Sequence, residues 1–201
     1  FRGDDGDETS ASYLATENTP VNSTLIVGDK MRLRMSISNQ STSGSLKTYQ
    51  LEYATSSCTV WNRVLSPVET THQDFRIETS TYVSDNMLSS HVSGLTVPGG
   101  KTFKQGRIQS FGGFVYPIAL KSNEYSEIEY VLRSTGSAKP DIPYCFRVTD
   151  AGVSKDFTYT VVPQVTLRSM LYRYRGGGGG GGVTVIVESP SVVATSTVTG
   201  G

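Results

Sequence analysis

"KMRLRMSIS", residues 30–38, decides the fold class. Met31, Leu33, Met35 and Ile37 alternate with Arg32, Arg34, Ser36 and Ser38, so an extended chain sets four apolar side chains on one face and four polar ones on the other. The same period of two recurs along the chain. "TYQLEYA" (48–54) turns Tyr49, Leu51 and Tyr53 inward, and "SEIEYVLRS" (126–134) does so with Ile128, Tyr130 and Leu132. "PYCFRVT" (143–149) contributes Tyr144, Phe146 and Val148. "FTYTVVPQVTL" (157–167) contributes Phe157, Tyr159 and Val161, then Val165 and Leu167 beyond Pro163. One apolar and one polar face per run is the pattern of antiparallel sheets with a single buried side. Arg32 and Arg34 are expected on the polar side. Proline cannot donate to a central ladder, so Pro163 marks an edge or a bulge in the last strand of the domain.

Turn chemistry separates the runs: "STSG" (41–44), "PGG" (98–100), "STGSAKPD" (134–141) and "TDAGVS" (149–154). Residues 67–123 are harder to read. "DFRIETSTY" (74–82), "TFKQGRIQS" (102–110) and "GGFVYPIAL" (112–120) read as strands, the last alternatively as an apolar lid. The stretch 84–100 reads as a loop with one helical turn. Neither the strands before this region nor those after it close a core alone. The expectation is therefore one elaborated antiparallel β-sandwich over residues 1–172, all-β, followed by a Gly-rich linker (173–182) and a tail (183–201).

The 18 basic and 18 acidic residues balance. No net field points to nucleic acid or to an anionic membrane surface. Charged residues are only 18% of the chain, and the polar load rests on Ser, Thr, Asn, Gln and Gly, a profile of extracellular all-β proteins. No apolar run approaches the ~20 residues of a membrane helix. Opening at Phe1 without Met, the chain reads as processed or as one piece of a longer product.

Six stretches carry a resemblance: "RGDDGDETSASYLATENTPV" (2–21), "MRLRMSISNQ" (31–40), "YQLEYATSSCTVW" (49–61), "EIEYVLRST" (127–135), "YCFRVTDAG" (144–152) and "YTVVPQVTL" (159–167). In these the chain resembles the immunoglobulin-like or fibronectin III-like modules of large secreted surface proteins of environmental bacteria. The resemblance implies a β-sandwich, export and a place at the cell surface. It supplies no catalytic residues.

Cys58 and Cys145 form either a disulfide or two free thiols. By parity both point outward on strands that neighbour each other in one sheet of such a sandwich, which makes a bond feasible if the Cα atoms approach within ~7 Å. Asp4, Asp5, Asp7 and Glu8 offer hard oxygen ligands to calcium, without EF-hand spacing. The simpler reading is a solvated acidic turn, and no other cofactor is expected. Asn22 and Asn39 begin glycosylation sequons. His72 and His91 read as surface residues. Trp61, Tyr82, Phe111, Phe114 and Tyr116 either line a carbohydrate platform or pack the middle insertion. No nucleophile, phosphate-loop or metalloprotease motif appears, so an enzyme is not expected. A His-carboxylate cluster in the fold would reopen that class.

"GGGGGGGVTVIV" (176–187) frames the functional expectation. The glycines, with Gly176, Gly179 and Gly182 along them, span ~15 Å as a coil and ~25 Å extended. They form a hinge. Val183, Val185, Ile186 and Val187 then offer an uncharged strand that needs a partner sheet. The expected function is a structural subunit of an extracellular filament, assembled from identical copies by donation of this strand. The alternative is an adhesive or carbohydrate-binding repeat of a large surface protein, with cell-wall or surface polysaccharide as its partner.

Overall fold

The alternation at 30–38 becomes a strand paired antiparallel with the run at 124–134: Met31 faces Leu132, Leu33 faces Tyr130 and Met35 faces Ile128. The computed structural model describes residues 1–201 apart from 70–71, 113–114, 156, 170–172, 175–184 and 187–201. Among the described residues the first strands are β1 (Val21–Ile26), β2 (Lys30–Ser38), β3 (Ser45–Lys47), β4 (Tyr49–Thr55) and β5 (Asn62–Arg63). The middle of the chain adds β6 (Phe75–Ile77), β7 (Met87–Leu88), β8 (Thr102–Phe103), β9 (Arg107–Gln109) and β10 (Ile118–Leu120). Then follow β11 (Glu124–Ser134), β12 (Pro143–Asp150), β13 (Gln164–Arg168), β14 (Arg173–Tyr174) and β15 (Val185–Ile186).

Two larger sheets share one core. The first has the order β1-β13-β12-β4-β5; the second runs β2-β11-β9-β7, with β6 and β8 also paired to β11. Met31, Leu33, Ile77, Tyr130 and Leu132 of the second sheet meet Leu51, Tyr53, Val148, Val165 and Leu167 of the first in a single cluster. Phe75 of β6 ties the layers together, with its ring 4.8 Å from that of Tyr144 and 5.0 Å from that of Phe146. Burying each such side chain contributes about 1.5–3 kcal/mol. The inward set read from the alternation supplies the core except in the run before Pro163, where Val161 is 42% exposed and Phe157 and Tyr159 are only partly buried, and the fold is an all-β sandwich.

The pairing departs from a purely antiparallel scheme. β1 runs parallel to β13, with Val21 opposite Val165, and β8 and β9 run parallel to β11. The chain then changes sheet between β1 and β2 at a turn where Gly28 takes φ 102°, a conformation that a side chain disfavours. Because β1 lies beside it, β13 is not the exposed edge that Pro163 suggested. The strand expected through Phe157, Tyr159 and Val161 also gives way: β13 begins at Gln164, after the proline. Phe157 packs edge-on to Tyr49 at 6.0 Å, and the Tyr159 hydroxyl donates to the Val148 carbonyl (2.7 Å). Side-chain packing on the sheet has displaced ladder pairing there.

In the middle region the expected long strands are cut short. One side of β11 is shared by β8 at Glu124–Tyr125, β9 at Glu129–Tyr130 and β6 at Leu132–Ser134. Between β8 and β9 the backbone runs beside β11 so closely that a Cβ on Gly106 would lie 2.1 Å from the Glu127 carbonyl oxygen. The stretch 84–100 holds β7 and turns rather than a helical turn. Ile118–Leu120 pairs with β3 in a small separate sheet.

The chain divides into Phe1–Ser169 and Met170–Gly201. In the second unit β14 and β15 form a short antiparallel ladder, Arg173 opposite Ile186 and Tyr174 opposite Val185. Among the described residues no helix is long and apolar enough to cross a membrane.

Candidate functional site

The main correction to the sequence reading concerns the polar face of β2. Arg32 and Arg34 are 0% and 5% exposed. They belong to an ion network roofed by the amino-terminal segment. Antiparallel register sets Arg34 opposite Glu129, with Glu127 two residues away on the same face of β11. Arg2 pairs with the outer edge of β2, its N–H donating to the Arg32 carbonyl and the Arg32 N–H to its own, both at 2.8 Å. Glu129 Oε2 then accepts from Arg2 (3.0 Å) and Arg34 (2.9 Å), and its Oε1 from Arg32 (3.4 Å). Arg34 also donates to Glu127 (2.8 Å) and Glu8 (2.9 Å), and Arg32 to Asp4 (2.8 Å).

Removing charges from water costs several kcal/mol each, repaid only where every ion is paired and hydrogen-bonded. Here three guanidinium groups meet four carboxylates. Burial works against the Arg34 charge, but the field of Glu129, with bonds to Glu127, Glu129 and Glu8, outweighs it and holds the pKa above its ordinary value. The residue spacing carries the signal that strand periodicity alone misses. Arg32-x-Arg34 and Glu127-x-Glu129 each present two like charges on one face, which is tolerable in a buried layer only where strands of opposite sign are neighbours.

The acidic run at residues 4–8 splits. Asp4 and Glu8 turn onto the arginines, whereas Asp5 and Asp7 hold the local turns. Asp5 accepts from the backbone N–H (3.0 Å) and the hydroxyl of Ser12. Asp7 accepts from the hydroxyls and N–H groups of Ser10 and Thr9, and these bonds, led by the Ser10 hydroxyl, bring its carboxyl down to about 2. Among the described residues no group of three or more His, Cys, Asp or Glu side chains is arranged to hold a metal ion.

His72 is exposed. His91 extends the network: its Nδ1 lies 2.6 Å from Glu127 Oε1, with the Tyr125 hydroxyl at 3.4 Å. The pair therefore orients an imidazole, 37% exposed. Among the described residues Tyr125 is the only side-chain hydroxyl bonded to it.

Cys58 and Cys145 are bonded, with Cα atoms 5.7 Å apart. Cys145 is buried on β12, while Cys58 lies past the end of β4 in a turn with φ 51°. Nearby, the Arg147 guanidinium sits 4.2 Å over the Trp61 ring and bonds Glu52 at 2.8 Å. Asn22 is exposed. Asn39 is 7% exposed, and its amide donates to Ser43 (2.7 Å) and Leu120 (2.9 Å) carbonyls. Tyr116 is 60% exposed, and Phe114 lies outside the described residues. Tyr82 and Phe111 come together on one cleft. Of the tail, Val185 and Ile186 pair as described, and Val183, Val187, Gly176, Gly179 and Gly182 lie outside the described residues.

No family model, curated protein or solved structure matches this chain.

Proposed function

We propose that this chain is an exported structural subunit of a cell-surface filament, in which the tail of one copy completes a sheet of the next. The reading takes Phe1–Ser169 as an immunoglobulin-like or fibronectin III-like sandwich. Strand order supports that class. β4, β12 and β13 hold the places of the third, sixth and seventh strands of such a sandwich in one sheet, and β2, β6 and β11 those of the second, fourth and fifth in the other. Tyr144, at the start of β12, accepts the Lys139 N–H (2.7 Å), the kind of bond that makes a tyrosine corner. β1 departs from the constant-type pattern by pairing with β13 instead of β2.

The observation that carries strand donation is the neighbourhood of β13, which has β12 on one side and β1 on the other. The last strand of the sandwich thus leaves no vacant side for the valine-rich tail. Among the described residues Val185 and Ile186 pair with Tyr174 and Arg173 in an antiparallel hairpin, and a hairpin alone is marginal in water. A longer edge on another copy outcompetes it. β2 offers one. Among the described residues it ends its sheet and its outer side carries one bridge, to Arg2, and Met35 and Ile37 beyond that bridge are only partly buried. A donated strand along Arg34–Ser38 would cover them, with each ladder bond netting about 1 kcal/mol. Such a contact is heterologous and does not close, so it propagates a filament. The Cys58–Cys145 bond fits an oxidising compartment outside the cytosol.

Truncation after Arg175 tests the reading. Electron microscopy and sedimentation are expected to show filaments of the full chain and monomers of the shortened one, with a peptide of residues 183–193 binding the latter. A monomeric full chain, or a truncated chain that still polymerises, overturns it.

A further inference from the structure

A second surface has the make-up of a ligand site, independent of how subunits join. Between the loop at residues 79–85 and the turn at 110–111 lies an open cleft of about 390 Å³, within the ~300–1,000 Å³ range of small-molecule sites. Two aromatic rings line it, Tyr82 at 49% and Phe111 at 46% exposure. Around them stand the hydroxyls of Ser80, Ser84, Ser110 and two threonines, with one carboxylate, Asp85.

These groups are held in place before any ligand arrives. Asp85 Oδ1 accepts from the Gln109 amide (2.9 Å) and from the backbone N–H groups of Ser110 (2.8 Å) and Phe111 (2.9 Å), so the carboxylate clamps one wall to the other. Its second oxygen takes none of these bonds. The Ser80 hydroxyl accepts the Tyr82 N–H (3.0 Å) and donates to Asp4 (2.7 Å), the carboxylate that also holds Arg32. Val83, between the exposed residues, is buried against Ile108 and Val131 and pins the loop from beneath. A loop of small polar residues would ordinarily leave an exposed tyrosine to move. This one is fixed by the buried ion network on one side and a small apolar cluster on the other.

We propose that this cleft binds a neutral hexopyranose unit of a glycan. The faces of aromatic rings carry negative charge density that favours the polarised C–H groups of a pyranose face. The rim hydroxyls donate and accept, and the free carboxylate oxygen accepts, as a polyhydroxylated ring requires. Among the described residues no lysine, arginine or histidine lines the cleft, and Lys30 is held by the Thr79 carbonyl (2.7 Å). Uronic acids and sulfated sugars are therefore disfavoured by the Asp85 charge.

The test is an amide-shift NMR titration of the full chain with cellohexaose, maltohexaose, mannohexaose and hexagalacturonic acid. Expected are saturable shifts at Ser84, Asp85 and Ser110 with at least one neutral oligomer and none with the acidic one. Tyr82→Ala is expected to weaken binding roughly tenfold or more, as for an aromatic anchor, with an unchanged thermal midpoint. Phe111→Ala serves as the second variant should the first lose its fold, and Tyr82→Trp is expected to retain binding. Absence of saturable shifts with all three neutral oligomers overturns the proposal. So does equal binding of the acidic one, or full affinity in a folded Tyr82→Ala or Phe111→Ala variant.

Discussion

Arg34 and Glu129 face each other across the β2–β11 ladder and bond at 2.9 Å with neither side chain more than 1% exposed. Glu129 also receives Arg2 and Arg32, so one carboxylate touches all three cations, with Asp4, Glu8 and Glu127 completing the charge balance. Glu129→Ala is expected to cost about 3–5 kcal/mol, the penalty for stranding buried charge. Glu78→Ala, which breaks a part-buried pair with Arg76 that water still reaches, is expected to cost clearly less. Urea unfolding of the two variants makes the comparison, and equal losses would contradict the network's role.

Asp7 provides an acid-side readout. Its carboxyl is brought down to about 2, first by the Ser10 hydroxyl and then by Thr9. A depressed folded pKa means that its contribution is complete above the unfolded value of about 3.9 and is lost as pH falls through about 2. Carboxyl-carbon NMR titration is expected to place the midpoint near 2, and Ser10→Ala is expected to raise it.

Tyr144 supplies the alkaline counterpart. Burial foremost, and the nearby Asp74 charge, push its phenol up to about 12 against the Lys139 N–H bond. A raised folded pKa gives stability that is complete below about 10 and lost as pH rises through about 12. Urea midpoints measured at neutral pH and through that window are expected to fall in the wild type. Tyr144→Phe is expected to fall less over the same window, and to start about 1 kcal/mol lower because the Lys139 N–H loses its acceptor.

Gly106 permits the close approach of the β8–β9 connection to β11. With a Cβ there 2.1 Å from the Glu127 carbonyl oxygen, Gly106→Ala is expected to cost about 1–3 kcal/mol through forced backbone shifts. It should also disturb Ser89, whose hydroxyl accepts the Gly106 N–H (2.9 Å). An unchanged thermal midpoint would show that this contact relaxes freely.

The apolar half of the fold was legible because alternation reports only which side chains share a face. Leu33, Tyr130, Phe146 and Leu167 needed no partner to be read as inward. The polar half was not, since periodicity treats Arg32 in a buried layer and Arg32 in water alike. Only the roof formed by residues 1–13 distinguishes them, and that contact joins positions far apart in sequence. The short strands β6, β8 and β9 were misjudged for a related reason. Their length is set by how three segments divide one side of β11, which no local propensity records. The strand predicted through Tyr159 failed because its hydroxyl and the Phe157 ring found better partners on the sheet.

The bond between Cys58 and Cys145 joins positions 87 residues apart. If a thread built from such subunits is pulled, the chain between those cysteines is excluded from the path that carries tension. At roughly 3.3–3.6 Å per extended residue, each subunit withholds about 300 Å of contour until it is reduced. An oxidised thread would therefore yield in short steps and a reduced one in long steps, so the redox state of its surroundings would set how far it stretches before it fails.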